Sequence, residues 1–463
     1  MKKSESATFR SIIYIISTFF VQGATVIFSP VYTRIMTPDE NGYYSVYLSV
    51  VNMISIICGL QTHGSLLVKK NELDEDEYEK YCASVLVLST VGYFVSILII
   101  FLTGDVFADF LAVKKDYLFI LASHAFGVYC INFAYAYFTA CQKVVVYLVV
   151  SVLLTLGTFF LSVFFTFFCA PNYKYMGMYW GSAILYIGVG VIKWLKFMLP
   201  QRHALTMKYW RFCIDYSFPL IFHNLASLLL VQADRIMIKH MSNPGEAGIY
   251  SICYGMALPT SALWSAMNNA WKTDYFRKQY EGDIDYIRLH SRRYLKTYTL
   301  ATMGYLMIFP EIVRIMLAKE YWEGIAFIPL IIVNCYFIFL YSFPANFEIV
   351  NKKTKGLSTI TVFGATANIA LNYFMIPRFG MTGAALATLA VQILIFIAHD
   401  ILARYYIGQY HFKWSFYLCG IIPVLIGCAG SYLFMDHIWI RWGLAVVIGL
   451  LALHKLIKDK SLF

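Results

Sequence analysis

The sequence predicts an all-α polytopic membrane protein of about fourteen transmembrane helices, built as two pseudosymmetric six-helix lobes plus two C-terminal helices. Three observations predict it. First, 60% of the 463 residues are hydrophobic and only 14% are charged, whereas a soluble chain carries roughly a quarter charged residues. Second, the apolar residues arrive in runs of about 20, enough to cross a ~30 Å hydrocarbon core at ~1.5 Å per residue. Third, TPDENGYYS at 37–45 recurs as NPGEAGIYS at 243–251, a constant offset of 206 residues.

Taken in order, spans are expected near 10–31, 43–67, 82–104, 117–140, 144–169, 176–199 and 213–235, then near 248–271, 294–317, 325–347, 356–376, 380–403, 413–435 and 439–457. The basic N-terminus MKKSESATFR leads into the first run with no small-residue cleavage site after it, so that run reads as an uncleaved span. All connections are short. The longest polar one, Lys272 to Arg293, is too small for a catalytic domain. The ten cysteines are scattered through apolar runs without a CxxC or Cys/His cluster, which favours packing over metal or disulfide roles.

Charge sets the expected orientation, because Lys and Arg near span ends stay on the cytoplasmic side. With the N-terminus inside, 27 of the 37 Lys and Arg fall on that side and 10 on the other. The excess argues for ordinary membrane topology with both termini cytoplasmic, and against nucleic-acid binding. The acidic run Glu72 to Glu79 reads as a solvated cytoplasmic loop.

The repeat divides the chain. Pro38/Pro244, Glu40/Glu246, Gly42/Gly248, Tyr44/Tyr250 and Ser45/Ser251 are identical pairs, and six spans separate the copies. An even number keeps the two copies in the same orientation, as in parallel repeats. Gly177-Met178 and Gly380-Met381 form a weaker echo at the starts of spans 6 and 12. The expected organisation is an N-lobe over 1–205, a C-lobe over 206–410 and an appended pair over 411–463. Locally the repeated turn is helix-start chemistry: Thr37 or Asn243 as N-cap, Pro at the first position, Glu closing a capping box.

Paired six-helix lobes usually enclose a polar site near the midplane, so polar residues on helical stripes are the candidates for its lining. Span 1 offers Gln22, with Arg34 just beyond it. Span 2 offers His63 beside Asn52 and Ser55, and span 4 offers His124 and Asn132. Span 7 carries His223, Asn224, Asp234 and Arg235 with Ser227, and span 8 carries Asn268. For Ser, Thr and Asn the competing explanation is interhelical hydrogen bonding, worth about 0.6–2 kcal/mol per contact. For His223 a polar cavity is favoured, because intramembrane ionisable groups are costly. Asp234 and Arg235 also suit a salt bridge or phosphate anchor at the outer interface. Lys69, Lys70, Lys272 and Arg293 read as positive-inside anchors that could first attract an anionic headgroup. Pro219 and Pro259 lie where spans 7 and 8 would bend.

Four blocks resemble one family. FPLIFHNLASLLLVQADRIMI (218–238) is similar to the seventh span of the polysaccharide-transporter branch of the MOP superfamily, the Wzx-type O-antigen and capsule repeat-unit flippases. PVYTRIMTPDENGYYS (30–45) resembles their first loop and GLQTHGSLLVKK (59–70) the end of their second span. ANIALNYFMIPRFGMTGAALAT (367–388) resembles the turn between spans 11 and 12. The resemblance implies two lobes that rock around a central cationic cavity. The implied cargo is a polyprenyl-pyrophosphate-linked oligosaccharide moved to the outer leaflet of the bacterial inner membrane. It implies no bond chemistry and no cofactor, with a proton or sodium gradient as the candidate drive. Membrane lipids and polysaccharide polymerase or assembly proteins are the implied partners. Related lipid-linked peptidoglycan flippases hold pyrophosphate with Arg, where this chain has His63, His124 and His223. A MATE-like multidrug or metabolite antiporter would place a carboxylate deep in the first lobe, and spans 1, 2 and 4 hold none. A membrane polymerase or ligase would need an extended outer loop, and every outer loop is short.

Overall fold

The computed structural model describes residues 7–111, 115–199, 207–353, 355–408 and 410–459. Among these the chain is helical without strands. Its helices are α1 (Ala7–Ile35), α2 (Pro38–Cys58), α3 (Leu66–Lys70, a single turn after a 3-10 stretch), α4 (Glu75–Leu111), α5 (Lys115–Ala140), α6 (Val144–Thr166) and α7 (Lys174–Met198). They continue as α8 (Met207–Met241), α9 (Pro244–Glu281), α10 (Ile284–Met316), α11 (Ile328–Val350), α12 (Lys355–Ile401), α13 (Trp414–Leu433) and α14 (Ile438–Asp459). Each expected span overlaps a helix, with spans 11 and 12 sharing α12, but the expected count of fourteen is not reproduced. Among the described residues nine helices are long and apolar enough to cross a membrane, ten when the broken pair Pro38–Cys58 and Thr62–Lys70 counts as one. The protein is a multi-pass helical membrane protein.

The chain divides into two compact units: residues 1–24 with 35–236, and residues 25–34 with 237–463. In the first, α5 is packed by α2, α4 and α7, and Tyr81, Tyr129 and Phe133 are fully buried around it. In the second, α11 is buried almost all round. Tyr294, Tyr298, Tyr336 and Phe339 fill its contact with α10 as closely packed ring pairs. Helices α13 and α14 pack on α10. Arg441 of α14 is wholly buried there and grips Glu311 of α10 through both carboxylate oxygens. Such a bidentate pair satisfies a charge that lipid cannot solvate.

Three departures from the expected spans have local causes. Span 2 is broken: α2 stops at Cys58, and the chain resumes at Thr62 after a 58° bend. A Cβ at Gly59 would sit 1.9 Å from the Tyr129 ring, so only glycine lets that ring close against the break. Leu60 and Gln61 then turn at φ 50°, which non-glycine residues adopt sparingly. Second, the polar connection at 272–293 is mostly helix, because α9 runs to Glu281 and α10 begins at Ile284. Gly282 supplies the left-handed turn (φ 73°), and Asp283 caps α10 by accepting the Tyr286 N–H at 3.1 Å. Third, α12 bends at Gly380 (φ 53°, ψ −138°), between expected spans 11 and 12.

The repeated turn has a larger role than starting α2 and α9. Thr37 and Glu40 form the expected capping box, and Asn243 Oδ1 accepts the Glu246 N–H at 2.8 Å. Each Glu also reaches a distant backbone. Glu40 Oε1 accepts the Lys174 N–H at 2.7 Å, at the start of α7. Glu246 Oε2 accepts the Met381 N–H at 3.0 Å, just past the Gly380 bend. A carboxylate thus satisfies an orphan helix-start donor in each copy. The Gly177/Gly380 echo marks the two helix starts that these carboxylates cap.

Candidate functional site

The break in span 2 opens a cavity of about 490 Å³ inside the first unit, within the size range of small-molecule sites. Three helices and the break build it. From α2 come Asn52, Ser55 and Ile56, one stripe at helical spacing. The break contributes Gln61 and His63, and α5 contributes Tyr129 and Asn132. From α8 come Asn224, Ser227, Leu228, Val231 and Gln232, at steps of three and four residues.

The floor of the break is fixed by hydroxyls. Tyr129 OH bonds Ser89 Oγ at 2.5 Å and also Thr62 Oγ1, and Thr62 bonds Ser89 at 2.7 Å. These bonds hold the Tyr129 ring beside Gly59 and so fix the wall on which Gln61 and His63 stand. The His63 ring lies 6.0 Å from the Tyr129 ring.

Among the described residues, the lining carries no carboxylate, Lys or Arg. Its polar groups are five amides, three hydroxyls and one imidazole. Among the described residues, His63 Nδ1 is buried without a partner, whereas buried polar groups in proteins are nearly always paired. The side-chain amides of Asn52, Gln61, Asn132, Asn224 and Gln232 line the same cavity and present donors and acceptors to its contents. Each amide offers both an acceptor oxygen and two N–H donors, the complement of hydroxyl groups.

The structure brings together His63, Asn132 and Asn224 of the sequence candidates, with Asn52, Ser55 and Ser227 from the same stripes. The others sit elsewhere. His124 is buried off the lining, its Nδ1 sharing a 3.0 Å hydrogen bond with Tyr47 OH. His223 neighbours Asn224 but does not line the cavity; its Nδ1 is buried without a partner, and its carbonyl accepts Ser227 Oγ. Asp234 is fully buried, and Arg235 donates to the Val231 carbonyl at 2.6 Å; both engage further groups. Arg34 caps helix ends, donating to the carbonyls of Pro30 (2.8 Å), Met316 (3.2 Å) and Ile315 (3.3 Å). Asn268 accepts from Asn346 at 3.1 Å. The Gln22 side chain lies outside the described residues.

Three polar lining residues, Gln232, Tyr129 and Gln61, are absent from the sequence candidates. Gln232 stands eight residues after Asn224, and Tyr129 three before Asn132, so helical spacing alone could have found both. Gln61 enters only because span 2 breaks, and the sole advance signal is Gly59.

With this geometry in hand, relatives place the chain. The sequence profile of the polysaccharide biosynthesis protein family matches residues 10–271, more than half of the chain. The chain belongs to that family. Its fold is that of MOP-superfamily transporters. The structure is similar to the lipid II flippase MurJ in an inward closed conformation (TM-score 0.74, 14% identity, covering 98% of this chain and 99% of that one). It is also similar to an inward-facing multidrug resistance MATE family transporter (TM-score 0.65, 10% identity, 86% and 98% covered). A third likeness is to the MATE multidrug transporter DinF-BH (TM-score 0.61, 16% identity, 87% and 95% covered). A comparison with curated protein sequences finds no match.

Proposed function

We propose that the protein is a flippase that moves a polyprenyl-pyrophosphate-linked oligosaccharide repeat unit across the bacterial inner membrane, for O-antigen or capsule synthesis. The observation that carries this reading is the cavity lined by five side-chain amides, with no charged residue among the described lining. An oligosaccharide cannot cross hydrocarbon bare, since each unsatisfied polar group costs several kcal/mol. Asn52, Gln61, Asn132, Asn224 and Gln232 replace water around the sugar hydroxyls, while Tyr129 offers a ring face to a sugar ring. The step is transport without bond chemistry. Family membership and the MurJ-like fold support the same reading.

In this reading, lobes 1–205 and 206–410 alternate access as rigid bodies, driven by a proton or sodium gradient, with 411–463 appended. Among the described lining residues, His63 carries the ring nitrogens that could hydrogen-bond the pyrophosphate. Both termini face the cytoplasm, and a polysaccharide polymerase receives the product. The described lining offers amides and hydroxyls, the complement of sugar hydroxyls, and in this it favours an oligosaccharide over a cationic drug.

The test is a deletion strain assayed for surface polymer, for lipid-linked repeat units by leaflet, and for drug tolerance. The expected result is lost polymer with repeat units trapped in the cytoplasmic leaflet. Normal polymer with raised drug sensitivity would replace this reading with the antiporter.

A further inference from the structure

A second cavity, also of about 490 Å³, lies in the second unit between the start of α10 and the segment leading into α13. Arg288, Arg292 and Lys296 reach it from α10 at steps of four residues, one stripe about 12 Å long. Lys413 and His411 close the opposite side. The charge bias of the sequence assigns this end to the cytoplasm.

The cations here differ from those one turn away. Arg277 pairs with Asp274 at 2.7 Å, and Lys278 pairs with Glu281 at 2.7 Å and Asp283 at 3.2 Å. Asp283 is further committed to capping α10. Among the described residues, Arg288, Arg292, Lys296 and Lys413 form no ion pair with a carboxylate. Four like charges around one opening repel one another and call for an outside anion. His411 senses the same field. Burial first, and then the Arg288 charge, hold its imidazole below the usual range, and its Nε2–H donates to Gln279 Oε1 at 2.8 Å.

The inner wall is apolar. Phe412 and Phe416 stack at 4.7 Å beside Leu295. A cationic rim over an aromatic floor suits an amphiphile better than a free ion.

We propose that this pocket binds a lipid-borne phosphate in the cytoplasmic leaflet, with Arg288, Arg292, Lys296 and Lys413 on the phosphate oxygens and the first methylenes against Phe412 and Phe416. Two lipids carry that chemistry: an anionic phospholipid, and a polyprenyl phosphate or pyrophosphate. Only the second source rests on the flippase reading, so phospholipid capture stands even if that reading fails.

The experiment uses the full-length protein in nanodiscs of phosphatidylcholine alone, with phosphatidylglycerol, or with undecaprenyl pyrophosphate. Retained lipid is counted by native mass spectrometry. A soluble arm uses inorganic pyrophosphate. The variants are the triple Arg288→Gln/Arg292→Gln/Lys296→Gln and, as a control for folding, Arg292→Lys. Wild type is expected to retain phosphatidylglycerol, undecaprenyl pyrophosphate or both over phosphatidylcholine. Each charge removed should weaken capture about fivefold, and Arg292→Lys should keep most of it. Preference for undecaprenyl pyrophosphate identifies a cargo-docking site, and preference for phosphatidylglycerol a lipid-anchoring one. Equal retention by wild type and a folded triple variant overturns the proposal. So does capture of inorganic pyrophosphate with no lipid preference. If the triple variant unfolds, Arg292→Gln alone decides: unchanged retention overturns the site.

Discussion

The two cavities have the same volume, about 490 Å³, and opposite chemistry. The one in the first unit is lined by amides and hydroxyls with no fixed charge. The one in the second unit is rimmed by four cations. A fixed charge far from water is costly, whereas a neutral amide can wait on a few bound waters. A cation near a helix end keeps its hydration and can also meet an anionic lipid headgroup. The comparison teaches that amide-rich and cation-rich linings can occur apart in one chain, whereas the family resemblance implies one central cationic cavity.

The largest effect that breaks the comparison comes from Gly59→Val. The new side chain would enter the space of the Tyr129 ring, where even a Cβ meets carbon at 1.9 Å. Overpacking against a ring held by Ser89 and Thr62 should cost about 3 kcal/mol or more. The expected outcome is loss of folded protein from the membrane, read by abundance and by gel-filtration profile. Normal abundance would mean that the break in span 2 is not rigid.

Next comes the cavity itself. Asn224→Leu combined with Gln232→Leu keeps size and removes two amides from the α8 stripe. Each lost hydrogen bond to cargo is worth about 0.5–1.5 kcal/mol, so polymer export should fall about tenfold with normal abundance. His223→Ala, one residue away but off the lining, should cost less. Equal losses would show that the stripe was assigned to the wrong face. Arg34→Lys should do less still. It loses the fork that spans three carbonyls at helix ends and should lower thermal stability by about 1 kcal/mol, with export intact in proportion to the protein remaining.

Much of the fold was legible because lipid allows few solutions. Apolar run length located the helices, and the Glu40/Glu246 repeat located two matched turns. Asn224 and Ser227 of α8 were readable for the same reason, since a polar face on an otherwise apolar helix must meet something, but the pattern also offered His223 and Asp234, which lie off the lining. What escaped depended on distant partners. His124 resembles a cavity residue until its partner Tyr47, 77 residues away, is seen to satisfy it. Arg34 resembles a cavity-lining cation, but two of the carbonyls it caps lie about 280 residues downstream. The reach of Glu40 to Lys174 and of Glu246 to Met381 is equally invisible in sequence, although the Gly177/Gly380 echo hints at it. The cations of α10 are hidden by a general rule, because positive charge at a cytoplasmic helix end is expected and draws no attention. Only the absence of paired carboxylates separates Arg288, Arg292 and Lys296 from ordinary anchors.

The smallest effect sharpens the comparison most, because it reads the field of the basic pocket directly. His411 faces Arg288, Arg292 and Lys296 on α10, Lys413 beside it and Gln279 at the end of α9. Its imidazole is held below its ordinary value of 6.5, by burial and then by Arg288. The unfolded chain therefore binds this proton at a higher pH than the folded protein does. Stability contributed here is present above about 6.5 and is lost as pH falls through that value toward the lower folded one. The change should be small, since His411 is only half-buried. A thermal unfolding series in detergent from pH 8 to pH 5 should show a shallower decline for His411→Gln than for wild type. Adding phosphatidylglycerol should flatten the wild-type decline too, because a bound phosphate offsets the cations that keep the imidazole neutral. If lipid leaves the two slopes as different as before, the phosphate does not sit where Arg288 meets His411.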